Sequence, residues 1–305
     1  MLDKDGVLAK HGAASIEELV KRAAMLADGD PPNGVGENPD AAMQIYNDVM
    51  LVAPDHAGCL YGVGIVLREA GRYAQGIQIA KRIAAICPRD PRGWKLLATI
   101  YGEMSQYDES IKYADKALMC AVNDYTLADA AYAHCNAGNW KEADAYSKRA
   151  LEMAKASPTP LAREATTNAE VTQAYCRLAF GDWEAGFRGY RKTLRTKWRK
   201  EREYPSANGG RTTEWQGEPD AVVIITTEQG LGDEVMAASV IMDAAKACKR
   251  IILDCDHRLA PLFERSFPGV FVTPQRRVEQ MVLPREVGLP THHKSLFGLS
   301  ELFRK

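Results

Sequence analysis

Between residue 15 and about residue 200, apolar side chains recur three and four positions apart in blocks separated by short polar turns. In "WKLLATIYGEM" the apolar positions are Trp94, Leu97 and Tyr101, and in "YDESIKYADKALM" they are Ile111, Ala114, Ala117 and Leu118. That spacing predicts pairs of amphipathic helices joined by turns such as "AGRY" and "AGNW". Past residue 220 the period changes. "AVVIITT" (221–227), "RIILDC" (250–255) and "GVFVT" (269–273) are apolar runs of strand length, and the stretches between them, 233–248 and 258–267, are helical in pattern. Unbroken apolar strands alternating with helices predict a parallel sheet covered on both faces.

The helical part is internally repeated. Residues 60–88 align without a gap on residues 94–122, an offset of 34: Leu60 falls on Trp94, Val63 on Leu97, Gly64 on Ala98, Leu67 on Tyr101, Gly76 on Ser110, Ala80 on Ala114 and Ile83 on Ala117. A further copy runs over 128–154, with Trp140 and Ala143 in the places of Tyr107 and Ser110; a half copy precedes at 42–54, and a more divergent one follows at 170–194. An aromatic, a small residue and a closing proline at this period resemble the tetratricopeptide repeat. The small residues let paired helices approach closely, and no pair can bury its apolar face alone, so stacking is required.

The expected fold class is therefore an α-solenoid of tetratricopeptide repeats followed by a small α/β, Rossmann-like parallel-sheet domain. An N-terminal extension with a leading helix at 15–29 occupies residues 1–37, the solenoid 38–203, a Pro-, Gly- and Ser-rich linker 204–219, and the sheet domain 220–305. The concave face of such a solenoid suits an extended protein or peptide partner, with Trp94, Tyr101 and Tyr132 as candidate groove residues. Docking of the chain's own second domain is the alternative occupant. At the solenoid's end Arg188, Arg191, Arg195, Arg199 and Arg202 recur every three or four positions beside Lys192, Lys197 and Lys200. They suit either an anionic partner or a solvated or interdomain face.

Length and charge narrow the classes. The 305 residues allow two domains, and 39 basic against 40 acidic side chains leave a net charge of −1, which gives no global attraction to nucleic acid or an anionic membrane. The charged start "MLDKDGVLAKHG" is unlike a signal peptide, and no run of about 18 apolar residues occurs, so a cytoplasmic protein without a membrane span is expected. The 7 cysteines contain no C-x-x-C pair and read as small core residues. Adjacent His292 and His293 point apart on any regular element, and no metal site is expected.

The remaining chemistry is concentrated in "IITTEQGLGDEVM" (224–236), where a strand ends in Glu228, Gln229, Gly230, Gly232, Asp233 and Glu234. No lysine follows the glycines, as a Walker loop requires, and Val235 stands where a dinucleotide fingerprint has its third glycine. Carboxylates crowded at this point oppose a phosphate. Asp233 reads either as a helix N-cap alone or as a cap whose carboxylate also accepts a proton from a hydroxyl.

Together with the repeats, "GDWEAGFRGYR", Trp215 to Gly217, and "LDCDHRLAPLFERSFPGV", this loop resembles bacterial proteins that fuse tetratricopeptide repeats to a GT-B glycosyltransferase related to heptosyltransferases and O-GlcNAc transferase. The resemblance implies that Asp233 is the general base toward an acceptor hydroxyl and that Glu228, Gln229, Gly230, Gly232 and Glu234 form the acceptor loop. It departs where relatives carry a small hydroxyl residue and an arginine after the aspartate; here Glu234 follows and no arginine occurs until Arg250. It also implies that the nucleotide-sugar donor binds a second Rossmann-like half, whereas this sequence stops at Lys305. The chain alone is then expected to hold no cofactor and to be inactive unless a C-terminal half joins it in trans. The alternative is a non-catalytic adaptor built on the repeats.

Overall fold

Polar caps start the helices where the periodic pattern predicts them. Asn38 accepts the Ala41 amide at 3.0 Å with Pro39 opening the helix, and Asp90 accepts the Arg92 amide at 2.9 Å with Pro91 following. Asn123 and Thr126 cap each other reciprocally, at 2.9 and 3.1 Å. Each cap satisfies amides that a first helical turn leaves without partners. In this computed structural model, residues 3–28, 38–156, 160–190, 204, 206–207, 212–226, 230–276 and 281–304 are described, the side chains of 160–164 excepted. The helices are α1 (Lys4–His11), α2 (Ile16–Asp28), α3 (Pro39–Val52), α4 (Ala57–Glu69), α5 (Tyr73–Ile86), α6 (Pro91–Glu103), α7 (Tyr107–Cys120), α8 (Asp124–Asn136), α9 (Trp140–Ala156), α10 (Pro160–Ala179) and α11 (Trp183–Tyr190).

Two compact units divide the chain, Met1–Ala169 and Glu170–Lys305. In the first, consecutive helices pack as antiparallel pairs, α2 with α3, α4 with α5, α6 with α7 and α8 with α9. The leading helix α2 is thus the first member of a pair and completes the half copy seen in the sequence. Leu19, Ala23 and Ala27 of α2 share one buried cluster with Ala42, Ile45, Tyr46 and Val49 of α3. The aligned small positions are the points of closest approach. A Cβ on Gly64 would stand 2.2 Å from Leu96 Cδ2, one on Gly76 would stand 2.8 Å from Ile100 Cδ1, and the Ser110 hydroxyl donates to the Ala98 carbonyl at 2.8 Å. The first helices of successive pairs, α2, α4, α6 and α8, also touch one another, more than the second helices do.

The second unit contains five parallel strands, β1 (Thr213–Glu214), β2 (Val222–Thr226), β3 (Arg250–Asp254), β4 (Phe271–Thr273) and β5 (His292–Ser295), in the order β1-β5-β2-β3-β4. Three were legible as apolar runs. The edge strand β1 and its neighbour β5 were not, because "TE" and "HHKS" carry polar side chains; here Lys294, almost fully buried, is neutralised by Glu214 at 2.7 Å. One face is covered by α12 (Leu231–Ala237), α13 (Ile241–Ala247), α14 (Ala260–Ser266) and α15 (Leu296–Phe303), over a core that includes Trp215, Val223, Ile225, Ile251, Leu253 and Phe263. On the other face Ile224 and Ile252 lie under Tyr204, Met281, Leu283 and Val287. That cover comes from chain without regular structure, where the sequence pattern had suggested helices.

α11 belongs to this unit by its packing. Phe187 stacks on Phe297 of α15 at 6.1 Å, Tyr190 meets the same ring at 4.6 Å, and Arg188 donates to Glu301 at 3.1 Å. The division at residue 169 therefore falls before the composition change at 204. Of the basic series, Arg188 is paired in this way, and Arg191, Lys192, Arg195, Lys197, Arg199, Lys200 and Arg202 lie outside the described residues.

The turns between paired helices supply a stability test. Gly71, Gly138 and Gly181 adopt φ of 69°, 77° and 83°, and at the equivalent place in the α6–α7 turn Ser105 is forced to 58°. A Cβ there costs about 1–2 kcal/mol, partly offset by the lower unfolded-state entropy of a non-glycine residue. Ser105→Gly is expected to stabilise the solenoid by about 0.5–1 kcal/mol, measured as a rise in the urea midpoint at unchanged slope.

Candidate functional site

The acidic loop sits where an open parallel sheet changes direction. β2 is flanked by β3 on one side and β5 on the other, so the crevice outside the carboxyl end of β2 is a topological switch point, the usual ligand position in such sheets. Gly230 caps α12 without any side-chain bond, and Asp233 is the third residue of the helix. The reading of Asp233 as an N-cap is thus corrected: it lies in the first turn, is exposed, and folds back over Gly230. A Cβ at residue 230 would meet Asp233 Oδ2, the far end of an exposed side chain, at 2.7 Å. Gly232 has open space around it. Glu228 and Gln229 lie outside the described residues.

Glu234 has the opposite fate. It is fully buried, 0% exposed, and so does not face an acceptor as the resemblance implied. Its carboxylate accepts a hydrogen bond from the Arg276 guanidinium and the Asp256 amide at 3.2 Å. Arg276 also lies 3.7 Å from the Asp256 carboxylate, which Arg258 holds with two bonds of 2.8 and 3.1 Å. Arg258 beside Asp256 lowers its carboxyl well below the ordinary carboxylate range. Asp254 and Asp256 are both buried. Arg276 is the arginine that sequence reasoning missed. It lies 42 residues from Glu234, and no local pattern links the two.

The adjacent histidines alternate on β5 as expected, His292 opposite Thr213 and His293 opposite Glu214. Among the described residues no group of three His, Cys, Asp or Glu side chains is arranged to hold a metal ion, and no helix is long and apolar enough to cross a membrane.

In the solenoid, Trp94 and Tyr101 are half-buried and each has a ring partner. Both stack on Tyr113 of α7, at 6.1 and 5.4 Å, with nearly parallel rings, and Trp94 Nε1 donates to the Pro88 carbonyl at 3.2 Å. They join the two helices of one pair. Tyr132 on α8 is 52% exposed. Between successive first helices the structure places ion pairs instead: Arg68 of α4 lies 3.5 Å from Glu103 of α6, and Lys95 of α6 lies 3.0 Å from Asp129 of α8. The Lys95 ammonium also sits 3.8 Å from the Tyr125 ring centre, a cation–π contact.

Arg276→Met is expected to destabilise the second unit by about 3–5 kcal/mol, because it leaves Glu234 charged and buried; combining it with Glu234→Leu should recover most of that loss. Chemical denaturation followed by the fluorescence of Trp215, in a chain whose other four tryptophans are replaced by Phe, measures both. The depressed Asp256 carboxyl adds a pH dependence of known sign. The unfolded state binds the proton first, so the Asp256 contribution is complete above the unfolded value of about 3.9 and is lost as pH falls through the lower folded value. Asp256→Asn should flatten the acid limb of stability below about pH 4 and leave its shape at neutral pH unchanged.

No known protein-family profile matches the chain. It is 29% identical over 280 residues to Protein FlbA of Caulobacter vibrioides, an alignment covering 87% of this chain and 45% of that protein. The chain thus spans about half the length of the curated relative it matches. Among solved structures it is similar to TTC0263, a tetratricopeptide-repeat protein of Thermus thermophilus, with a TM-score of 0.49 and 15% identity over 61% of this chain and 93% of that one. It is also similar to a tetratricopeptide-repeat protein of Parabacteroides merdae, with a TM-score of 0.48 and 18% identity over 63% of this chain and 69% of that one, and to the type IV pilus biogenesis factor PilW, with a TM-score of 0.46 and 15% identity over 59% and 78%.

Proposed function

We propose that the chain is a cytoplasmic helical-repeat protein whose solenoid holds a protein segment and whose α/β unit is the acceptor-side half of a GT-B glycosyltransferase. The observation that carries the reading is the contrast between Asp233 and Glu234. One carboxylate is exposed at the switch point of the sheet beside Gly230, and its neighbour is locked inside by Arg276. In that reading Asp233 accepts the proton of an acceptor hydroxyl as the hydroxyl oxygen attacks the anomeric carbon of a nucleotide sugar and the nucleoside diphosphate leaves. The donor half, in trans or in further chain, supplies the nucleotide-sugar contacts; the locked acid cluster offers a phosphate no cationic cradle of its own.

A non-catalytic adaptor is the second reading, favoured by the Phe187 and Tyr190 contacts on Phe297. They make the last repeat helix a cover for the α/β unit, as a capping role requires.

The two readings part on transfer. An affinity-purified assembly containing the full chain should move radiolabel from one member of a nucleotide-sugar panel to a protein acceptor. Asp233→Asn should slow this by about 10²-fold or more, within the usual range for a positioned base. Transfer that is indifferent to Asp233→Asn removes the proposed base, and an assembly that holds its partner without transfer establishes the adaptor. The purified chain by itself should show a thermal shift below about 1 °C with any nucleotide sugar, since stabilisation requires a site; a larger shift would place the donor on this chain.

A further inference from the structure

Among the described residues, Asp3, Asn38, Asp90, Asn123 and Ser295 cap the helices that follow them, and α4 is capped by His56. Carboxylate, amide and hydroxyl caps hold one charge state between about pH 5 and 8, whereas histidine has its ordinary pKa, about 6.5, inside that range. The His56 Nδ1 atom lies 3.1 Å from the Cys59 amide nitrogen. A backbone N–H can only donate, so Nδ1 accepts with its lone pair, and the ring that makes this bond is neutral with its proton on Nε2. Cys59 is in the first turn of α4, where an amide has no partner within the helix, so the cap is what satisfies it. On the other edge of the ring, Nε2 lies 3.8 Å from Glu17 Oε1 of α2. One imidazole thus serves its own helix through Nδ1 and faces the preceding first helix through Nε2.

We propose that His56 is a pH-dependent switch between capping α4 and bridging α4 to α2. Protonation places a hydrogen on Nδ1 and so removes the acceptor that the Cys59 amide needs. The positive end of the α4 dipole then repels the imidazolium. Arg92 of α6 does the same: a Cβ on Gly58 would stand 3.2 Å from His56 Cε1 and 3.4 Å from Arg92 Nη1, so ring and guanidinium converge on one point. Glu17 is the carboxylate that receives the charged ring. Its own backbone amide holds its carboxyl below the ordinary value, with His56 and Lys4 of α1 acting in the same direction, so it stays ionised through the histidine range. The neighbouring carboxylates are engaged elsewhere: Asp90 with Arg92 at 2.9 Å, Asp55 with Arg82 of α5 at 2.8 Å, and Asp48 of α3 with Lys10 and His11 of α1 at 2.7 Å. Burial pushes the Cys59 thiol up to about 12, so it remains neutral throughout. The exchange takes the cap from the first turn of α4 and gives the first two helix pairs an ion pair between them. It is independent of both the transferase and the adaptor readings.

The test uses the full chain with isotopically labelled histidine and cysteine, the His56 and Cys59 signals being identified from His56→Asn and Cys59→Ala. Asparagine, which caps α3 and α8, accepts the same amide without titrating. At about pH 8 the His56 ring should be neutral with its proton on Nε2, and at about pH 5 it should be charged. Over that range the hydrogen-exchange protection of the Cys59 amide, corrected for intrinsic exchange, should fall about 5-fold, the size expected for loss of a cap, and in His56→Asn by less than about 1.5-fold. The bridge is read from a double-mutant cycle of His56→Asn and Glu17→Gln in urea unfolding of the solenoid. The coupling should be about 3-fold in the unfolding constant at the lower pH and below about 1.5-fold at the higher. A neutral ring with its proton on Nδ1, or Cys59 protection that is unchanged across the range, overturns the switch. Coupling of equal size at both pH values also overturns it, since the ring then does not move between partners.

Discussion

The Arg276 guanidinium between Glu234 and Asp256 holds the candidate site in its shape. A carboxylate taken fully out of water is tolerated only with a partner close by and its lone pairs satisfied. Glu234 meets both conditions through Arg276 and the Asp256 amide, and in doing so it ties the start of α12 to the loops that follow β3 and β4. The orientation of Asp233 follows. Consecutive residues on a helix point about 100° apart, so a first turn rotated to bury Glu234 turns Asp233 outward. Gly230 supplies the second half of the arrangement by leaving room for the carboxylate that folds over it.

In the solenoid the equivalent constraint is the distance between helices. Gly64, Gly76, Ala98 and Ser110 are small because Leu96, Ile100 and the Ala98 carbonyl occupy the space beside them. Close approach within each pair and between first helices brings Arg68 to Glu103 and Lys95 to Asp129. These ion pairs between first helices are a consequence of stacking. Trp94 and Tyr101 take part in the same packing, both being stacked on Tyr113.

α11 shows how one helical pattern can serve two purposes. Its sequence continues the repeat, yet Phe187 and Tyr190 find their apolar contact on Phe297 of α15. Periodicity specifies that a helix has an apolar face and is silent on which surface will cover it.

What the sequence alone determined is the repeat, its helix pairs, the three apolar strands and the acidic loop at the end of the first of them, because each follows from local spacing of apolar and small residues or from glycine and capping chemistry. Tertiary structure alone decided the rest. Thr213–Glu214 and His292–Ser295 became strands through backbone pairing that no side-chain pattern announces. Glu234 was separated from Asp233 by an arginine 42 residues away, and Tyr113 stacks on both Trp94 and Tyr101. In each case the deciding partner is remote in sequence, and a charge or an aromatic ring gives no local signal of the neighbour that will satisfy it.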